Sequence, residues 1–224
     1  MTMNTDLQKT AEDIKKASED ADFILAGFGT EWYSDETPEI DGDNAITKAD
    51  AIKGYEKIRE LIGNKKHYII TLAYDDVIYD VFDGEDEKIV APCGTKKLLQ
   101  CKSHLMTPDE VKDTKNMVCP VCGEKLVYNN ILAEGYMEEG YLEEFEKYKK
   151  FLQMTVNKKL LILELGVDMK YPSVIRFPFD KLCVYNYKST FYRINNSFPQ
   201  HVSETYGRGI SVKTYSVDFV NNYL

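Results

Sequence analysis

Apolar and polar positions alternate between two rhythms along this chain, and the rhythms change at glycines, prolines and acidic clusters. The first stretch, Thr5 to Glu19, is rich in Lys, Glu and Asp with a thin apolar stripe through Leu7, Ala11, Ile14 and Ala17, which predicts a surface helix. An apolar run from Ala21 to Gly29 follows and predicts a strand that ends on glycine. Lys48 to Ile62 carries Ala51, Ile52, Tyr55, Ile58, Leu61 and Ile62 at helical spacing, and Gly63-Asn64 supplies a C-terminal stop. His67 to Tyr74 predicts a second buried strand with Asp75 and Asp76 at its C-terminal end. A short helix over Val77 to Phe82 and a strand over Lys88 to Pro92 come next, the latter delivering Cys93 to the same edge.

The second half repeats the alternation. Glu138 to Val156 has Tyr141, Phe145, Tyr148 and Leu152 at helical spacing, an aromatic stripe that reads as core. Lys159 to Gly166 is a continuous apolar run of the kind buried on both faces of a parallel sheet. Val174 to Leu182 reads as a short helix or extended connection containing Pro178, Thr190 to Asn195 as a strand, and Gly209 to Val217 as the last strand. Strands alternating with helices predict an α/β fold: a Rossmann-like parallel sheet flanked by helices. Residues 1–95 and 130–224 form that sheet domain in this reading, and residues 96–129 a small inserted zinc-binding module.

The module rests on cysteine spacing. Cys119-Pro-Val-Cys122-Gly123 places two thiolates three positions apart on a turn freed by glycine, and Cys101-Lys-Ser-His104 offers a second pair. Cys101, His104, Cys119 and Cys122 then make a four-ligand site, with Cys93 or water as alternatives to His104. Reduced, buried cysteines without metal are the plain alternative. Four protein ligands leave no open position, so such a zinc is structural. The function must lie elsewhere.

Composition narrows the classes. A formal charge of −9 and a pI of about 5.0 argue against non-specific binding to nucleic acid or to an anionic membrane surface. No apolar run reaches membrane-spanning length, and Met-Thr-Met-Asn-Thr-Asp has no basic and apolar leader, so the expectation is a cytoplasmic protein. Five cysteines, an odd number, fit a reducing compartment better than a disulfide framework.

With these pieces in order, the chain resembles the sirtuins, NAD-dependent protein deacylases (deacetylases) and ADP-ribosyltransferases. It is most similar to their bacterial macrodomain-linked branch, through Leu163-Glu-Leu-Gly-Val-Asp-Met-Lys-Tyr-Pro172 and Val174-Ile-Arg-Phe-Pro-Phe179. The resemblance covers the chain from about Phe23 to the last strand and is strongest from Val118 to Pro199. It implies NAD as cofactor beside zinc, and an acylated or lipoylated protein as partner. It places the first nucleotide loop on Gly27, Phe28 and Gly29, the second on Gly166, and the adenosine ribose at Asn195. It also sets Asp75 in the motif beside the nicotinamide ribose and Cys93 at the position of the catalytic histidine. Departures are as specific. Phe28 is bulky where the family has alanine and is expected to obstruct a pyrophosphate, Glu31 and Asp168 bring negative charge, and Ala73 replaces an orienting asparagine. Lys170 would offset part of that charge. A thiol at 93 replaces a base that titrates near neutral pH.

Three functions therefore stand: an NAD-dependent transferase or deacylase; a sirtuin-derived binding or regulatory module that has lost catalysis; and new chemistry around Cys93, Asp75 and Asp76.

Overall fold

The computed structural model describes residues 2–35, 46–85, 88–111 and 116–224, with the side chains of residues 2–5 left aside. The sequence from Glu31 to Asp43 is acidic and lacks apolar periodicity; most of it lies outside the described residues, as does the end of the acidic run from Asp83 to Glu87.

The main sheet has six parallel strands: β1 (Phe23–Phe28), β2 (Lys66–Thr71), β3 (Ile89–Val90), β7 (Leu160–Leu165), β8 (Ser189–Ile194) and β9 (Gly209–Val212). Its order is β3-β2-β1-β7-β8-β9, so the winding reverses between β1 and β7. Open parallel sheets bind ligands at such a reversal, outside the C-terminal ends of the strands.

The helices cover both faces. On one side lie α1 (Thr2–Asp20), α2 (Lys48–Ile62), α3 (Val77–Val81) and α6 (Ser216–Tyr223), which pack Ala11, Ile14, Tyr55, Ile58, Ile78 and Phe219 against Ile24, Ala26 and Phe28 of β1. On the other lie α4 (Glu139–Met154) and α5 (Arg176–Tyr185), which pack Tyr148, Phe151, Phe179 and Cys183 against Phe23, Leu25 and Ile162. This split follows from the two-residue period of β1, whose successive side chains go to opposite faces.

Local chemistry sets the ends. Thr47 caps α2 by accepting the Asp50 N–H at 3.1 Å, and Gly63, at φ +53, closes it. Pro178 falls in the first turn of α5, where a missing N–H costs no helical bond.

One expectation is corrected and one feature is added. The last strand stops at Val212, and Ser216–Tyr223 is a helix, because Val217 and Val220, and Phe219 and Tyr223, recur at helical spacing toward the core. The cysteine-bearing segment also carries strands that its ligand spacing hides: β4 (Gly94–Gln100), β5 (Leu105–Met106) and β6 (Val127–Asn130) form an antiparallel sheet in the order β5-β4-β6. Its own core is small, built on Leu99, Met106, Val111 and Leu126 beside Cys101 and Cys119.

Candidate metal centre and nucleotide-type edge

The cysteine site is assembled by two turns. Cys101 leaves β4 and its N–H donates to the His104 carbonyl at 3.0 Å, folding the first pair back on itself. In the second, the Cys119 N–H donates to the Glu124 carbonyl and the Gly123 N–H to the Cys119 carbonyl, with Gly123 at φ +77. The ligand atoms of Cys101, His104, Cys119 and Cys122 all lie within 4.8 Å of one another. Cys101 Sγ is 3.4 Å from His104 Nδ1 and 3.6 Å from Cys122 Sγ, and Cys119 Sγ is 3.9 Å from His104 Nδ1. Zn–S of about 2.3 Å and Zn–N of about 2.0 Å put tetrahedral edges at roughly 3.5–3.8 Å, so the donor set fits zinc through Nδ1 of His104. Cys93 is not part of this group. It lies in the main-sheet core with Tyr33, Tyr74 and Val167, which removes it as an alternative fourth ligand.

The predicted nucleotide residues do meet at the reversal between β1 and β7, but they bind each other. The Gly29 N–H donates to the Leu165 carbonyl at 2.8 Å, and the Glu31 N–H to the Gly166 carbonyl at 3.3 Å. A Cβ on Gly29 would stand 2.3 Å from the Gly166 oxygen, so this glycine permits one loop to pack on the other. Gly27 faces α5, against Ile175 and Phe179. Asn195 bonds locally through both ends of its carboxamide: Nδ2 donates to the Val167 carbonyl at 2.8 Å, and Oδ1 accepts the Ser197 and Phe198 N–H groups at 2.8 and 2.6 Å. Asp168 accepts from the Thr30 hydroxyl at 2.8 Å and from the Lys170 N–H at 2.8 Å.

Phe28 does not project toward a ligand. Its ring is buried on the α2 side, edge-on to Trp32 and Tyr55 at 4.8 and 5.0 Å, so the expected obstruction is instead a core contact.

Asp75 is buried, with one oxygen accepting the Ser34 N–H and hydroxyl at 3.0 and 2.7 Å and the other the Val77 N–H at 3.1 Å. Asp76, at φ +68, turns to the small sheet and accepts the Thr95 hydroxyl at 2.6 Å. Burial raises the Asp76 carboxyl, against the opposing bond from Thr95. The two acids thus serve different partners. Cys93 is 2% exposed, and burial pushes its thiol up to about 12. At neutral pH it carries its proton.

A buried charge network beside this edge escaped the sequence reading. Arg193 Nε and Nη2 donate to the two oxygens of Glu164 at 2.6 and 2.8 Å, and Nη2 also reaches Asp180 at 3.1 Å. Arg193 Nη1 and Arg176 Nη2 both donate to the Gln200 carbonyl, at 2.6 and 3.1 Å, which holds the segment after β8 onto α5. Glu164 and Arg193 are register partners on adjacent strands. Opposite charges in phase within two apolar strands were the available signal.

Comparison with known proteins agrees with this architecture. A Sir2 homologue in complex with NAD superposes with a TM-score of 0.59 at 11% identity, over 95% of this chain and 91% of that one. The fold is that of the Sir2 homologues. A Sir2 variant solved with a p53 peptide and NAD gives a TM-score of 0.60 at 12% identity, over 95% of this chain and 96% of the other. A protein ADP-ribosyltransferase of Staphylococcus aureus is 24% identical over 184 residues. That alignment covers 68% of this chain, which spans only 57% of the length of that relative. No family model matches the chain. Among the described residues, no helix is long and apolar enough to cross a membrane.

Proposed function

We propose that this chain is a divergent sirtuin-type protein, akin to the NAD-dependent protein ADP-ribosyltransferases and deacylases, whose dinucleotide site and catalytic base are eroded and which serves as a zinc-braced binding or regulatory module. The observation that carries the reading is the state of the polar groups at the β1–β7 reversal. The Gly29 and Glu31 N–H groups and both ends of the Asn195 carboxamide are already bonded within the chain. A dinucleotide would have to replace those bonds before gaining any of its own, and such an exchange leaves little net binding free energy. Cys93 adds to the case. A thiol pushed up to about 12 does not take a proton from a ribose hydroxyl at neutral pH.

Cys101, His104, Cys119 and Cys122 would hold zinc with no vacant position, and the ion would supply cross-linking of the small sheet rather than Lewis-acid chemistry. Residues 96–129 are the module that this site braces.

The second reading, an active ADP-ribosyltransferase acting on an acylated or lipoylated protein, draws on the name of the Staphylococcus aureus relative and on the retained Gly27, Gly29, Gly166 and Asp75. Calorimetric titration of the zinc-loaded protein with NAD and with ADP-ribose separates the two. The module reading expects no heat at millimolar ligand. Micromolar binding, about −8 kcal/mol, would overturn it in favour of the transferase and direct assays to modified protein acceptors.

A further inference from the structure

We infer that Glu31 is an internal ligand which plugs the sheet edge with its own carboxylate and must be displaced before a phosphate-bearing ligand can enter. The inference deepens the proposed reading and rests on it, because it supplies the reason that this edge holds no dinucleotide.

The carboxylate is held by three donors from two distant parts of the chain. Oε2 accepts the Ser216 N–H and the Ser216 hydroxyl, each at 2.7 Å, and Oε1 accepts the Asn196 N–H at 3.1 Å. Asn196 follows the end of β8, and Ser216 opens α6 with an N–H that has no helical partner and lies at the positive end of the helix. Two backbone donors and a hydroxyl converging on one oxyanion form a cradle that a phosphate or an external carboxylate would satisfy equally well.

The surroundings are shaped to this side chain. Ser216 is fully buried, and its oxygen also accepts the Trp32 Nε1–H at 3.0 Å, which couples the plug to the Phe28, Trp32 and Tyr55 cluster. Gly166 sits at φ +66, and a Cβ there would lie 2.4 Å from Glu31 Cβ. The glycine of the second loop is therefore needed to seat Glu31. The Thr30 hydroxyl bond to Asp168 clasps the same two loops one residue away.

An intramolecular carboxylate competes at an effective concentration in the millimolar range or above, which suppresses external anions without excluding them from the cradle. Removing Glu31 should release that competition.

The test is Glu31→Ala in the full chain, zinc-loaded, titrated with ADP-ribose and melted with inorganic phosphate or acetate against chloride of equal ionic strength. The variant is expected to gain a melting-temperature increase with phosphate and acetate that the wild type lacks, and to bind ADP-ribose at least about tenfold more tightly. If the alanine variant does not fold, Glu31→Gln takes its place. It sets an NH2 group against a cradle donor, and phosphate should raise its melting temperature. A folded variant that gains nothing from phosphate, acetate or ADP-ribose overturns the plug and leaves the module reading standing. Wild-type protein that already binds ADP-ribose at micromolar concentration overturns both.

Discussion

The small antiparallel sheet and the C-terminal edge of the large parallel sheet treat their polar groups in opposite ways. In the small sheet, Cys101, His104, Cys119 and Cys122 turn their ligand atoms toward a common centre, while backbone bonds among the same residues only shape the turns. At the large sheet's edge, backbone and side-chain groups are drawn into bonds with one another, and Glu31 fills an oxyanion cradle from within. The difference is chemical. Nothing in an ordinary chain replaces a metal ion among three thiolates and an imidazole, whereas any carboxylate or carbonyl replaces the acceptors of a nucleotide. A metal site is kept whole or lost, and a nucleotide site can be closed from inside while the fold around it persists.

Breaking the first half of that contrast should have the largest effect. The core of the small sheet among the described residues is slight, so, with zinc bound as proposed, Cys119→Ser or chelation should release the metal and unfold β4–β6 together. Metal-binding free energy in such sites is on the order of 10 kcal/mol, and elemental analysis beside circular dichroism and a thermal melt would read the loss. Stoichiometric zinc with an unchanged melting temperature in Cys119→Ser would refute the assignment.

The second half is sharpened at Phe28. Because the ring lies in the aromatic core and not in the ligand path, Phe28→Ala should destabilise the protein by about 3–5 kcal/mol and leave NAD binding unimproved. Chemical denaturation and calorimetry on the same sample would check both; a gain in NAD affinity would restore the obstruction.

A smaller effect is expected from Cys93. Its folded pKa, about 12, lies above the ordinary thiol value of 9.0, so the native state holds the proton more tightly than the unfolded chain. The stability that this contributes is complete below pH 9 and is lost as pH rises from there toward 12. By pH 10 the loss is on the order of 1 kcal/mol, absent in Cys93→Ala, and urea melts of the two proteins across this range would show it. A Cys93 that reacts with iodoacetamide in the native state as fast as an exposed thiol would contradict the burial.

Much of the fold was legible because it is written in local periods. The helix over Lys48 to Ile62 and the buried runs that became β1 and β7 follow from apolar spacing and a few caps, and the cysteine pairs follow from turn geometry. The end of the chain was less so, since Ser216–Tyr223 is short and its apolar residues serve a strand almost as well as a helix until packing decides. What the sequence by itself determined is the class of fold and the two close ligand pairs, Cys101 with His104 and Cys119 with Cys122, because each depends on residues near one another along the chain; that the pairs converge, and that Cys93 stays apart from them, came from the tertiary structure. Only the tertiary structure decided the state of the nucleotide-type edge. Glu31 meets Asn196 and Ser216 across 165 and 185 residues, and Glu164 meets Arg193 across 29, so the groups that close and brace the site are partners by strand order, not by spacing. Whether a glycine or an asparagine is free for a ligand depends on which bonds it has already made, and those bonds exist only once β1, β7 and β8 lie side by side.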